Sequence, residues 1–157
     1  MIKNDFYTFN EYMKKEDNSL TASMEDYLEM IYRLCLNTGF TRIHELSDAL
    51  NVQPPSATKM VQKLAELKLL KYEKYGILVL EDEGKVLGEQ LLNRHNMIEN
   101  FLRILNVSES NVLEETEKIE HTISPETANC FQDFVQFVKD NPETAAKFKV
   151  YRNTLKL

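Results

Sequence analysis

The sequence predicts a mainly α-helical protein, in which three helices and a β-hairpin are followed by a second, wholly helical domain. Its 157 residues include only 4 Gly and 4 Pro, with 43% hydrophobic and 28% charged residues, a composition typical of helix-rich globular proteins. Apolar residues recur at steps of three and four over most of the chain but alternate over residues 69–80, which indicates helices around one short hairpin. We expect an N-terminal extension at residues 1–19, a first domain at 20–92 and a second at 93–157.

The first domain begins with three predicted helices. Thr21 or Ser23 is a suitable N-cap for the first helix, whose apolar stripe runs through MEDYLEMIYRLCL. The second is the short segment IHELSDALN, and the third starts at PPSATKMVQKL, where proline suits the first turn because it has no N–H to leave unpaired. The segment LLKYEKYGILVL, with Gly76 near its centre, then predicts a β-hairpin. This order of elements is that of a winged helix-turn-helix domain.

The third helix has an apolar half, which includes Leu67, and a polar, partly basic half. Many surface helices show the same division, but here a tight turn precedes the helix and a hairpin with basic residues follows it. In a winged helix-turn-helix domain this helix enters the DNA major groove, while the hairpin touches phosphates. The candidate DNA-binding residues are Ser56, Thr58, Lys59, Gln62 and Lys63 on the helix, with Lys74 and Tyr75 on the hairpin.

The second half of the chain is predicted to be helical throughout. A long helix follows the segment EDEG, with Leu91, His95 and Ile98 on its apolar stripe and either Val86 or Leu87 near its start. A further helix carries the segment EETEKIEH, and prolines at 125 and 142 each begin another helix.

Charge is distributed unevenly along the chain. The net charge is −6, yet residues 41–80 carry six Lys or Arg against four Asp or Glu, whereas residues 81–141 carry five against thirteen. This contrast predicts one surface for an anion and another for cations. The segment MIKNDFYTFNEYMKK lacks the apolar core of a signal peptide, and no apolar run is long enough to cross a bilayer, so we expect a cytoplasmic protein without a membrane partner.

Several acidic residues and two histidines form a candidate metal site. Glu117, Glu120 and His121 share one helix face because they are three and four residues apart. Alone they also fit a solvated acidic face, as do Asp26 and Glu29 on the first helix, and a histidine on an apolar stripe is often a core residue. Together the four carboxylates and two imidazoles, the latter from His95 and His121, suit Mn²⁺ or Fe²⁺. A di-iron enzyme is disfavoured because the chain has no Glu-x-x-His motif.

The sequence resembles the diphtheria toxin repressor family, and within it the manganese transport regulator branch. The segments that carry the resemblance are SMEDYLEMIY, PPSATKMVQKL, YEKYGILVL, RHNMIENFL and EKIEH, in that order. The resemblance implies a Mn²⁺-dependent transcriptional repressor, not an enzyme, that binds palindromic operator DNA as a homodimer and controls manganese uptake genes. No small organic ligand is expected. The site that it implies holds two Mn²⁺ ions per subunit on Asp26, Glu29, His95, Glu117, Glu120 and His121.

An iron-responsive repressor of the same family, with Fe²⁺ as its metal, is the alternative. The iron-sensing members of the family have Met at the position of Asp26 and Cys at that of Glu117, and the oxygen ligands found here favour Mn²⁺. Without metal, the crowded ionisable groups are expected to repel one another and leave the DNA-binding domain loosely hinged.

Overall fold

The computed structural model describes residues 20–155 together with Thr8, so the expected N-terminal extension otherwise lies outside the described residues. Within residues 20–155 the chain forms seven α-helices and three short strands. The elements in chain order are α1 (Ala22–Cys35), β1 (Thr41–Arg42), α2 (Ile43–Leu50), α3 (Pro54–Glu66), β2 (Leu70–Tyr72), β3 (Ile77–Leu80), α4 (Asp82–Ile104), α5 (Glu109–Glu120), α6 (Pro125–Asp140) and α7 (Pro142–Thr154).

The first helices form where the sequence predicts them. Thr21 caps α1, because its side-chain oxygen accepts a hydrogen bond from the N–H of Met24 at 3.3 Å. The apolar faces of α1, α2 and α3 meet in one core, which includes Leu28, Leu46 and Val61. Leu67 was expected in this core, but it is 43% exposed because α3 ends at Glu66 and Leu67 occupies its C-cap.

A small antiparallel sheet closes the first core. β2 pairs with β3 in the predicted hairpin, with Leu70 opposite Leu80, and Lys74–Gly76 form the turn. Tyr75 and Gly76 both adopt left-handed backbone conformations there, at φ 64° and 74°. The sequence did not reveal β1, which adds a third strand by pairing Thr41 with Leu78, because two residues are too few to show an alternating pattern.

The long helix α4 is shared by the two halves of the protein. It begins at Asp82, inside the segment EDEG that was expected to precede it, and it buries Leu91 in the first core and Ile98 in a second core. Its first turn lies against the residues that precede β2, because a Cβ on Gly84 would lie 1.9 Å from the carbonyl oxygen of Leu69. Of the two alternatives at its start, Val86 is 56% exposed, whereas Leu87 packs against the first core.

The second core joins α4 to α5 and α6. Ile98 and Leu102 of α4 pack with Val112 of α5, and the rings of Phe101 and Phe131 stack at 4.1 Å. The expected division at residues 92 and 93 falls inside the continuous helix α4 and stays a prediction. No helix in the part of the chain that the structure describes combines the length and apolar character needed to cross a membrane.

Candidate metal centre and nucleic-acid interface

All six predicted metal ligands lie together where α1, α4 and the end of α5 meet. His95, on α4, is the central residue and is only 2% exposed. Its Nδ1 atom lies 3.3 Å from a carboxylate oxygen of Glu120, 3.5 Å from one of Glu117 and 3.8 Å from one of Glu29. Three carboxylates from two helices thus surround one imidazole nitrogen.

The second imidazole is that of His121, which forms the C-cap of α5. Its Nε2 atom lies 2.5 Å from Oδ1 of Asp26 and 3.5 Å from Oε1 of Glu120. Because the helix ends at Glu120, the ring is directed across the junction to α1 and is not confined to the surface of its own helix.

The side chains fall into two clusters in which every candidate ligand atom lies within 4.8 Å of the others. One cluster contains Asp26, Glu117, Glu120 and His121, and the other contains Glu29, His95 and Glu120. Glu120 belongs to both. Since a carboxylate has two oxygens, Glu120 could offer one oxygen to each cluster.

Glu120 is the strongest indication that a cation belongs here. The residue is 1% exposed, and neither carboxylate oxygen has a hydrogen-bond donor among the residues that the structure describes. The Nδ1 atom of His95 is likewise buried without a hydrogen bond in that part of the chain. Two imidazole nitrogens lie near the oxygens of Glu120, that of His95 at 3.3 Å and that of His121 at 3.5 Å, but neither makes a hydrogen bond of good geometry to them. A buried carboxylate in such surroundings is costly, and a bound cation would remove that cost, so the donor set fits an oxygen-preferring divalent metal.

Glu29 is buried, although the sequence of α1 alone also fits a solvent-facing carboxylate at this position. Glu29 points away from the apolar stripe of α1, yet it is only 6% exposed because α4 covers it. Arg33, one turn later on α1, donates two hydrogen bonds to the same oxygen of Glu29. Asp26 and Glu117 are less buried, with 40% and 48% of their side chains exposed.

The crowding of like charges raises the affinity of the site for protons. Burial, together with the nearby charge of Glu120, raises the pKa of Glu117 to about 7. Burial disfavours the charged form of His121, but hydrogen bonds to Asp26 and Glu25 outweigh it and raise the pKa to about 10. For His95, burial is similarly outweighed by Glu120, and the pKa is raised. In the absence of metal, protons therefore balance part of the negative charge.

Two residues at the edge of the site were not found from the sequence. Glu25 accepts from Nδ1 of His121 at 2.7 Å and from Nη2 of Arg94 at 2.6 Å, and it belongs to neither ligand cluster. Burial raises the pKa of the Glu25 carboxyl, but His121 and Arg94 outweigh it and lower that pKa below its ordinary value. The one available signal was position, since Glu25 precedes Asp26 and Arg94 precedes His95.

Six of the seven predicted DNA-binding residues are exposed, and Thr58 is the exception. Lys59, Gln62 and Lys63 are exposed on α3, as is Ser56 near its start. Thr58 is half-buried and its hydroxyl donates to the carbonyl oxygen of Pro54 at 3.0 Å. Lys74 and Tyr75 project from the turn of the hairpin, with Tyr75 89% exposed. Their contact with DNA stays a prediction.

Two family models match the chain in succession. The model for the "iron dependent repressor, N-terminal DNA binding domain" matches residues 19–78, and that for the "iron dependent repressor, metal binding and dimerisation domain" matches residues 81–149. Both describe parts of a repressor and not of an enzyme. The first match covers the helix-turn-helix and the hairpin up to residue 78, within β3, and the second covers α4 to α7 up to residue 149.

Relatives agree with these matches over most of the chain. The HTH-type transcriptional regulator MntR of Bacillus pumilus (strain SAFR-032) is 43% identical over 129 residues, which are 82% of this chain and 90% of the relative. The regulator of the same name from Lysinibacillus sphaericus (strain C3-41) is 42% identical over 129 residues, 82% of this chain and 93% of its own length.

Among solved structures, that of the manganese regulator SloR is similar, with a TM-score of 0.65 and 29% identity over 75% of this chain. The chain spans only about half of that protein, 55% of its length. The two successive family matches, together with relatives above 40% identity, settle the family. This chain belongs to the iron-dependent repressor family.

Proposed function

We propose that the protein is a Mn²⁺-dependent transcriptional repressor that binds palindromic operator DNA as a homodimer and controls manganese uptake genes. The observation that carries the metal part of this proposal is Glu120, buried without a hydrogen-bond donor in the described residues and common to both ligand clusters. The names of the regulators from Bacillus and Lysinibacillus and of the manganese regulator SloR support the same function. We place the protein in the cytoplasm, where its DNA would be.

The six residues would hold two Mn²⁺ ions, with Glu120 contributing to both. When bound, the ions supply positive charge that replaces the protons now balancing the carboxylates. Asp26 and Glu29 then hold α1 against α4 and the end of α5. Since α1 shares its apolar core with α3, fixing α1 also fixes the helix proposed to enter the major groove.

Self-association is supported by apolar side chains exposed on the second domain. Phe134 and Phe137 of α6 are 37% and 52% exposed, and Val150 and Tyr151 of α7 are 65% and 59% exposed. A twofold dimer would present two copies of α3, and we expect the two half-sites of the operator to lie about one helical turn, roughly 34 Å, or a multiple of it apart.

The alternative metal is Fe²⁺, which the description of the family models favours. Against it stand the carboxylates of Asp26 and Glu117, because Mn²⁺ prefers oxygen ligands and gains little from the sulfur that would replace them in an iron sensor.

The deciding experiment is a gel shift on DNA from upstream of the protein's own gene. Wild type, Glu120→Gln and Glu114→Ala are each tested with Mn²⁺, with Fe²⁺ under anaerobic conditions, with Zn²⁺ and with a chelator. Glu114 is the matched control, since it pairs on the surface of α5 with Lys118 at 2.6 Å. We expect wild type and Glu114→Ala to bind with Mn²⁺ and Glu120→Gln to lose the response. Equal binding in chelator and in Mn²⁺ contradicts the proposal, and activation by Fe²⁺ alone favours the iron-responsive alternative.

A further inference from the structure

Glu25 joins three helices at one carboxylate oxygen. Its Oε2 atom accepts from Nδ1 of His121, at the end of α5, at 2.7 Å and from Nη2 of Arg94, on α4, at 2.6 Å. All three side chains are largely buried, with exposed fractions of 15% for Glu25, 10% for His121 and 27% for Arg94. Such a carboxylate, held by a guanidinium, has little freedom to move away from the imidazole.

The two nitrogens of His121 face different surroundings. Nδ1 faces Glu25, which lies outside both ligand clusters, whereas Nε2 faces Asp26 and Glu120, which lie inside one of them. When the ring loses one of its two protons on metal binding, a carboxylate that accepts from one ring nitrogen keeps the N–H there, so the lone pair is left on the other. Glu25 therefore directs the Nε2 lone pair of His121 into the cluster.

Glu25 and Asp26 are neighbours on α1, so the helix approaches His121 from two sides. Adjacent residues on a helix point about 100° apart, which lets Asp26 reach Nε2 while Glu25 reaches Nδ1. Arg94 and His95 form a similar neighbouring pair on α4, with Arg94 on Glu25 and His95 in the second cluster. The position of α1 is thus tied to the orientation of His121.

We propose that Glu25, held by Arg94, is a positioning residue that selects Nε2 of His121 as the metal-binding nitrogen and fixes α1 to the metal centre. The inference rests on the proposed function, since it assumes that His121 is a ligand. Partners of this kind on a ligating histidine typically change metal affinity by about 10- to 100-fold.

The test compares Glu25→Ala and Glu25→Gln with wild type and with Glu114→Ala. Mn²⁺ affinity is measured by calorimetry in competition with a chelator of known affinity. We expect Glu25→Ala to bind Mn²⁺ about 10- to 100-fold more weakly and Glu114→Ala to bind as wild type does. Glu25→Gln should recover part of the loss, because its amide oxygen still accepts from Nδ1 although the charge opposite Arg94 is gone.

A second readout reports the nitrogen that binds. In the Cd²⁺-bound protein labelled with ¹⁵N-histidine, we expect wild type and Glu25→Gln to show His121 coordinated through Nε2 and protonated at Nδ1, and Glu25→Ala to show a mixture. Coordination of wild type through Nδ1, or Glu25→Ala with wild-type affinity and spectrum, overturns the inference while leaving the proposed function intact. A wild-type protein that binds neither Mn²⁺ nor Cd²⁺ overturns both.

Discussion

Metal binding should be strongly pH-dependent, because the clusters must release protons before they can hold metal. Metal ligation requires neutral imidazoles and ionised carboxylates. The pKa values of His121, about 10, and Glu117, about 7, and the raised pKa of His95 mean that these groups are partly or fully protonated at pH 7 without metal. Because protons compete with Mn²⁺ for the same side chains, the affinity for Mn²⁺ falls as the pH falls.

The size of the effect follows from these pKa values. Lowering the pH from 7 to 6 costs about tenfold in metal affinity through His121 and about fivefold through Glu117, hence roughly 50-fold for these two groups. The raised pKa of His95 acts in the same direction. Two histidines with ordinary pKa values would give only about tenfold.

The assay is calorimetric titration with Mn²⁺ between pH 6 and 8 at constant ionic strength, repeated in two buffers of different ionisation enthalpy to count the released protons. We expect at least about 1.5 protons per subunit at pH 7, from His121 and Glu117, against about 0.5 for two ordinary histidines. A change of tenfold or less, with about half a proton released, would refute the reasoning that the clusters hold protons in place of metal.

Three further predictions follow from other parts of the molecule. Asp26→Met with Glu117→Cys should lower the affinity for Mn²⁺ relative to Fe²⁺ or Co²⁺, because Mn²⁺ gains least from sulfur ligands. The melting temperature should not fall, because both side chains are only half-buried, and an unaltered Mn²⁺ preference in calorimetry would contradict the prediction. Lys59→Ala should weaken operator binding and reduce its salt dependence by about one phosphate contact while metal affinity stays intact, and an unchanged gel shift would remove Lys59 from the interface. Gly84→Ala should destabilise the protein by about 1–3 kcal/mol or more, since its Cβ would lie 1.9 Å from the Leu69 carbonyl oxygen; a wild-type urea midpoint would show that α4 can shift without cost.

The sequence by itself determined the features that depend only on residues close to one another along the chain. Thr21 caps α1 and proline begins α3, α6 and α7, because capping and prolyl φ act within one turn. The periodicity of apolar residues likewise predicted the helices and the hairpin, and the spacing of Glu117, Glu120 and His121 predicted that they would lie together. The ligand set drawn from three separate helices was implied by the family resemblance.

Only the tertiary structure decided how these local pieces meet. Glu29 is buried because α4 covers a face of α1 that looks polar in sequence, and Leu67 is exposed because its helix ends one residue earlier. Glu25 and His121 form a hydrogen bond although they are 96 residues apart in the chain, and helical periodicity cannot predict a contact between two separate helices. The physical reason is the same in each case: a helical pattern is set within a few residues, whereas burial and charge proximity depend on which helices pack together.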